Sequence, residues 1–264
     1  MKKTVLAAIA LLGVCACLPV RQAAAAVKED ILFSSGPSRN TFLELYTSDV
    51  SQNCNEALRW MNSLKDAGPE VLWKRFVPVQ MHVSFGDGGG AKDTFAQKSF
   101  DGFLLKYKKT WNVRDVYVPT LAVNGTEWTG WARQQDIPRF LSEDVGVLTA
   151  DGSKREGHFL VEFKPSAKVD AKDLVAHAAL LKFGLKSMPS EGSNRGRALS
   201  HDFLATVYTQ KPFLLSYGVL TVDLEIIEKK ATRQTKPEKK AIAVWVTRAE
   251  DARPIQATGG YLPS

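Results

Sequence analysis

Thr41–Ala57 reads TFLELYTSDVSQNCNEA: an apolar strand running straight into a helix start. Of the three cysteines only Cys54, inside this stretch, lies beyond residue 26. A strand, a sharp turn and a helix N-terminus form a setting that activates thiols, because unpaired backbone N–H groups and the positive end of the helix dipole favour thiolate. Three residues upstream stands Ser51, so no second thiol is available to release a mixed disulfide. Two readings follow. In one, Ser51 and Cys54 are catalytic, the serine donating a hydrogen bond to the thiolate. In the other, Ser51 is the N-cap and Cys54 a small buried hydrophobe.

Working outward, Thr41–Tyr46 reads as a strand and Gln52–Lys65 as a helix with Ala57, Leu58, Met61 and Leu64 inward, stopped at Gly68. Val77–Phe85 is a second strand. Lys92–Trp111 is a second helix burying Phe95, Phe100, Phe103, Leu104 and Tyr107. Thr120–Val123 and Glu127–Trp131 flank Asn124-Gly125, a strong hairpin signal, and a final helix is expected over Gln135–Ser142 with Pro138 in its first turn. The order β-α-β-α-β-β-α, with Pro119 opening the third strand, is that of an α/β thioredoxin-like domain, expected over residues 27–150. From 151 to 264 the period becomes that of strands, at Gly157–Phe163, Asp173–Phe183, Arg197–Tyr208, Val219–Ile227, Ala241–Thr247 and Ile255–Tyr261. This second part is expected to be an antiparallel, β-sandwich-like domain.

Lys2 and Lys3 precede an apolar run from Val5 to Val20, and Ala23–Ala26 offer small residues for cleavage, so residues 1–26 read as a signal peptide and the protein as periplasmic or secreted. The run is short and broken by Pro19, so no integral span is expected in the mature chain; a lipid anchor at Cys17 is the lesser alternative. Cleavage takes the 35 Lys and Arg down by Lys2, Lys3 and Arg21 to 32, against 28 Asp and Glu. That mixed balance argues against a nucleic-acid binder, and the dense run Lys229–Lys240 reads as a solvated hairpin loop. None of His82, His158, His177 and His201 has zinc-site spacing, and Gly88-Gly89-Gly90 is followed by no Lys-Ser or Lys-Thr pair, so neither metal nor cofactor is expected.

Several short blocks resemble one family, the secreted bacterial thioredoxin-like proteins catalogued as domain of unknown function 1223. They are Leu43-Glu44-Leu45-Tyr46-Thr47-Ser48; His82-Val83 followed by Asp87, Gly90, Lys92-Asp93 and Phe95; Val116-Tyr117-Val118-Pro119-Thr120 with Asn124-Gly125; and Asn194-Arg195-Gly196-Arg197, Leu199 and His201-Asp202. The family usually carries Gly-Cys-x-x-Cys-Pro after its strand, where this chain has Val50-Ser51-Gln52-Asn53-Cys54-Asn55, with only the second cysteine present. The likeness implies a cis bond at Val118-Pro119 and a peptide-pairing backbone beside the thiol position. Val118, Pro119, Thr120, His82 and Asp87 are the expected binding residues. The expected function is an exported protein without dithiol redox activity that binds an extended peptide or protein partner at the Cys54/Pro119 face. The alternative is a single-cysteine thiol enzyme that reduces peroxide or exchanges disulfides with an external thiol.

Overall fold

The structure is a computed structural model and describes residues 31–85, 90–138, 143–228 and 237–263. The N-terminal half supplies β1 (Leu32–Ser34), β2 (Thr41–Thr47), α1 (Asn55–Ser63), β3 (Phe76–His82), α2 (Lys98–Thr110), β4 (Thr120–Val123), β5 (Thr126–Glu127) and β6 (Gly146–Asp151). Then follow β7 (His158–Pro165), β8 (Leu174–Phe183), β9 (Leu185–Ser187), β10 (Leu199–His201), β11 (Leu204–Pro212) and β12 (Leu214–Ser216). The chain closes with β13 (Val219–Glu225), β14 (Lys239–Arg248) and β15 (Pro254–Tyr261).

The expected thioredoxin-like domain followed by a β domain is not what forms. Strands from both halves build one eight-stranded mixed sheet in the order β15-β14-β8-β11-β3-β2-β4-β5, and β1-β6-β7-β13-β12 make a second sheet of five. β2 and β3 are parallel, β4 and β5 add antiparallel, and β11 lies parallel to β3 through the Leu204–Gln80 pair. Through that pair β8, β14 and β15 extend what would otherwise be a small sheet. Among the described residues there are two α-helices against fifteen strands, so β structure dominates.

Local differences have local causes. Gln52–Cys54 is a 3₁₀ turn ahead of α1, and α2 begins at Lys98, with Phe95 buried before it. The strand expected over Glu127–Trp131 is only Thr126–Glu127, because a 3₁₀ turn over Gly130–Arg133 interrupts it. Residues 135–138 are not helical, and 139–142 lie outside the described residues. Residues 1–30, with the expected signal peptide, also lie outside, as do 229–236 of the basic run; Lys239 and Lys240 belong to β14. No helix among the described residues is long and apolar enough to cross a membrane.

The alternation of side chains along β8 and β14 explains why these strands lie inside. Leu174, Ala176, Ala178 and Leu180, with Ile242, Val244 and Val246, face the five-stranded sheet and pack on Leu148, Phe159 and Val161. Their neighbours Ala179, Leu181, Ala243 and Trp245 join the other core, which holds α1 and α2. A strand buried on both faces reads as a continuous apolar run, as AIAVWV does here.

One carboxyl is sealed in the helix-side core. Glu44 of β2 is 0% exposed; Tyr46 Oη lies 2.9 Å from its Oε1 and Tyr107 Oη 2.7 Å from its Oε2. Burial pushes the Glu44 carboxyl up to about 8, against the pull of its hydrogen bonds to Tyr107 and Tyr46. Tyr107 Oη is also 3.0 Å from Ala252 O and has a single proton to give. If that proton goes to the carbonyl, Glu44 must supply the other, which fits a neutral carboxyl.

Candidate functional site: a groove over a buried turn

The chain leaving β2 turns at Asp49 and Val50 and enters the 3₁₀ turn that holds Cys54. Ser51 is its N-cap by backbone (φ −104°, ψ 118°), but its side chain makes no capping bond. The segment between β9 and β10 folds over this turn. Asn194, fully buried, lies with Nδ2 3.0 Å from both Asp49 O and Ser51 O and 2.8 Å from Asn55 Oδ1, and its Oδ1 accepts from Asn55 Nδ2 at 2.9 Å. Ser193 N donates to Val50 O at 2.9 Å, and Ser193 Oγ accepts from Gln52 N at 2.9 Å. Gly192 sits at φ +71°, where a Cβ would come within 2.3 Å of Val50 O, so the loop can approach this closely only with glycine.

Under that cover Cys54 is fully buried and forms no disulfide. Its thiol is expected to resist iodoacetamide in the native protein and to react once the chain is unfolded. Native labelling at the rate of an exposed thiol would contradict the geometry.

Outside the turn runs an open groove of about 620 Å³. Ser51, Gln52 and Asn53 line it together with Val116, Tyr117 and Val118, and Phe85, Gly192 and Ser193 complete the lining. The Val118–Pro119 bond is cis, as the resemblance implied. Among the described residues no hydrogen bond engages the backbone N–H or C=O of Val116 or Val118, whereas Thr120, one step into β4, is buried and gives its hydroxyl to Tyr117 O at 2.5 Å. The expected binding residues therefore separate. Val118 lines the groove, Pro119 and Thr120 follow it in sequence, and His82 is buried elsewhere. Asp87 lies outside the described residues.

His82 belongs to a second cluster that the sequence did not reveal. Its Nδ1 is 2.7 Å from Asp93 Oδ2 and 4.0 Å from Asp49 Oδ1, and His201 Nε2 is 3.4 Å from that same Asp49 oxygen. Ser187 Oγ donates to Asp49 Oδ2 at 2.6 Å and lies 2.9 Å from His201 Nε2. Gln80 Nε2 stands 2.6 Å from His82 Nε2 and 3.0 Å from His201 Nδ1. Phe95 packs edgewise on both imidazoles. Burial opposes a charged His82, yet the Asp93 carboxylate, by charge and hydrogen bond, and Asp49 outweigh it and raise its pKa above the ordinary value. Burial likewise opposes the Asp93 anion, but His82 and the backbone N–H groups of Asp49 and Phe95 hold it down to about 2. Asp49, His82 and His201 could together hold a metal ion. Short-range spacing could not have found them, since they come from the turn after β2, the end of β3 and the end of β10. The only signal was that His82 and His201-Asp202 fall in two of the blocks that resemble the family.

No curated protein matches this chain. A protein of Agrobacterium tumefaciens solved by X-ray crystallography is similar in fold, with a TM-score of 0.50, 15% identity, and 85% of this chain and 94% of that one covered. HBP35 of Porphyromonas gingivalis is similar to the same degree, with a TM-score of 0.50, 13% identity, and 86% and 76% covered. The family model described as a protein of unknown function (DUF1223) matches residues 42–257, a span that takes in the turn, the groove wall and both histidine-bearing strand ends. The chain belongs to the DUF1223 family.

Proposed function

We propose that this is an exported binding protein that takes an extended peptide, or an extended segment of a partner protein, in the groove beside Val118. The carrying observation is the backbone of Val116 and Val118, which lines the groove without a hydrogen-bond partner among the described residues. An unpaired backbone edge is what a second strand adds to, its ladder giving affinity and side-chain pockets giving selectivity. Tyr117 is 54% exposed between them and offers an aromatic face to the incoming chain. Export rests on the Lys2-Lys3 pair, the apolar run and the alanine site that follow one another at the N-terminus. The buried position of Cys54, away from the groove lining, favours binding over thiol chemistry.

Selection of a random peptide library on the protein tests this. The expected result is enrichment of extended sequences that bind at least about tenfold more weakly to Tyr117→Ala and to Gln52→Trp, the latter filling the groove, while both variants melt with the parent. Failure to enrich any peptide, or enriched peptides indifferent to both substitutions, would overturn the proposal.

A further inference from the structure

We propose that Asp49, His82 and His201 form a closed structural site for a divalent zinc ion, independent of the peptide groove. Three observations carry it. The donor atoms converge: Asp49 Oδ1 is 3.4 Å from His201 Nε2 and 4.0 Å from His82 Nδ1. In a tetrahedral zinc site with bonds near 2.0–2.1 Å, neighbouring donors stand about 3.3 Å apart. The first separation already fits, and the second needs a closure of well under 1 Å. Next, Asp49 Oδ1 is buried and has no hydrogen-bond partner among the described residues, and neither do the hydroxyls of Thr47, at the end of β2, and Ser48 after it. A carboxylate oxygen buried between two imidazole nitrogens with nothing to accept from calls for a cation. Finally, the far nitrogens of both imidazoles, His82 Nε2 and His201 Nδ1, converge on one carboxamide, that of Gln80.

That third feature is the arrangement a zinc site uses to orient its histidines, in which the ring nitrogen away from the metal donates to a fixed acceptor. Which end of the Gln80 amide faces the rings is an assignment made from the hydrogen-bond pattern. With the NH2 end there, both far nitrogens accept, His82 carries its proton on Nδ1 toward Asp93, and His201 carries its own on Nε2 toward Ser187. With zinc bound at Nδ1 of His82 and Nε2 of His201, each imidazole takes the other tautomer. The amide turns over, and its oxygen accepts from both far N–H groups. No proton need leave the site. Asp93 Oδ2, 2.7 Å from His82 Nδ1, stands beside the three converging donors as a second carboxylate without joining them as a ligand. The two carboxylates balance the double charge of the ion.

The donor set selects the metal. Two imidazoles exclude the all-oxygen shells of magnesium and calcium, and the absence of sulfur among the converging donors argues against copper(I). Asp49, His82 and His201 are 0–2% exposed, so a substrate has no access to the ion, which would be structural. It would tie the turn after β2 to β3 and to β10, which are far apart along the chain.

The experiment is metal analysis of the full chain, expressed without an affinity tag in medium supplemented with Zn2+ or, separately, Co2+. The expected content is about one ion per chain, with the visible absorption of tetrahedral cobalt in the second preparation. Asp49→Asn, which keeps the side-chain shape, and His201→Ala should each reduce the bound metal at least about tenfold. His158→Ala, which removes the histidine beside Asp223 and Glu225 on β13, should leave it unchanged. Parent protein carrying less than about a tenth of an ion per chain from both media would overturn the site, and this arm does not depend on any variant folding. Metal retained by Asp49→Asn and lost from His158→Ala would overturn it as well.

Discussion

A Glu44→Gln variant is expected to become progressively more stable than the parent as pH rises from about 4.5 to 8. In the unfolded chain the carboxyl titrates near its ordinary value of about 4.3; in the folded protein it does so only at about 8. Below the ordinary value both states hold the proton and stability does not depend on this group. Between the two values the folded protein keeps a proton that the unfolded chain has lost. Stability then falls as pH rises, by about 1.4 kcal/mol per unit, and levels off above the folded pKa. The glutamine amide reproduces the protonated pattern: its oxygen accepts from Tyr46 and its NH2 donates to Tyr107, which is left free to donate to Ala252 O. Urea unfolding at several pH values should show the curves diverging to about 4–5 kcal/mol by pH 8. Parallel curves across the range would mean that the buried carboxyl is ionised in the native protein.

Asn194→Ala should be the most damaging single change in the cover over the turn. Two donated protons would be lost from the buried carbonyls of Asp49 and Ser51 or from Asn55, and nothing small enough to fill the space could replace them. Each buried acceptor left unpaired costs about 1–3 kcal/mol, so a loss of roughly 2–4 kcal/mol is expected. Cys54 should then become alkylatable under native conditions, because the loop that seals it is released. An Asn194→Ala protein that unfolds with the parent and still protects Cys54 would show that the β9–β10 segment does not hold the turn in place.

The parts of this fold that were legible were those set by neighbouring residues. Asn124-Gly125 marked its turn, the pattern of Leu58 and Met61 marked α1, and the apolar runs of β2 and β3 marked buried parallel strands. What could not be read was the partner of β3. Its parallel ladder with β11 has the single register pair Leu204–Gln80, and nothing local in Leu204–Pro212 specifies a parallel neighbour. The element order of the first half thus looked self-sufficient, and the extension of the sheet by β11, β8, β14 and β15 was missed. LVAHAALLKF and AIAVWV did carry a clue. Near-continuous apolar runs suit strands covered on both faces rather than a two-layer sandwich with one face in water. For the site, the Ser51–Cys54 turn was legible in the residues themselves and the cis bond through the resemblance, whereas Asn194 and the Asp49/His82/His201 cluster depend on long-range closure that no spacing rule captures.

In the proposed function, Val116 and Val118 present an unpaired backbone that a bound peptide completes. Amide hydrogen exchange, read residue by residue by NMR with and without a selected peptide, tests it most directly. Both amides are expected to exchange rapidly in the unbound protein and to slow by about a hundredfold or more on saturation, as residues entering a sheet ladder do. Saturation with peptide that leaves both exchange rates unchanged would contradict the account.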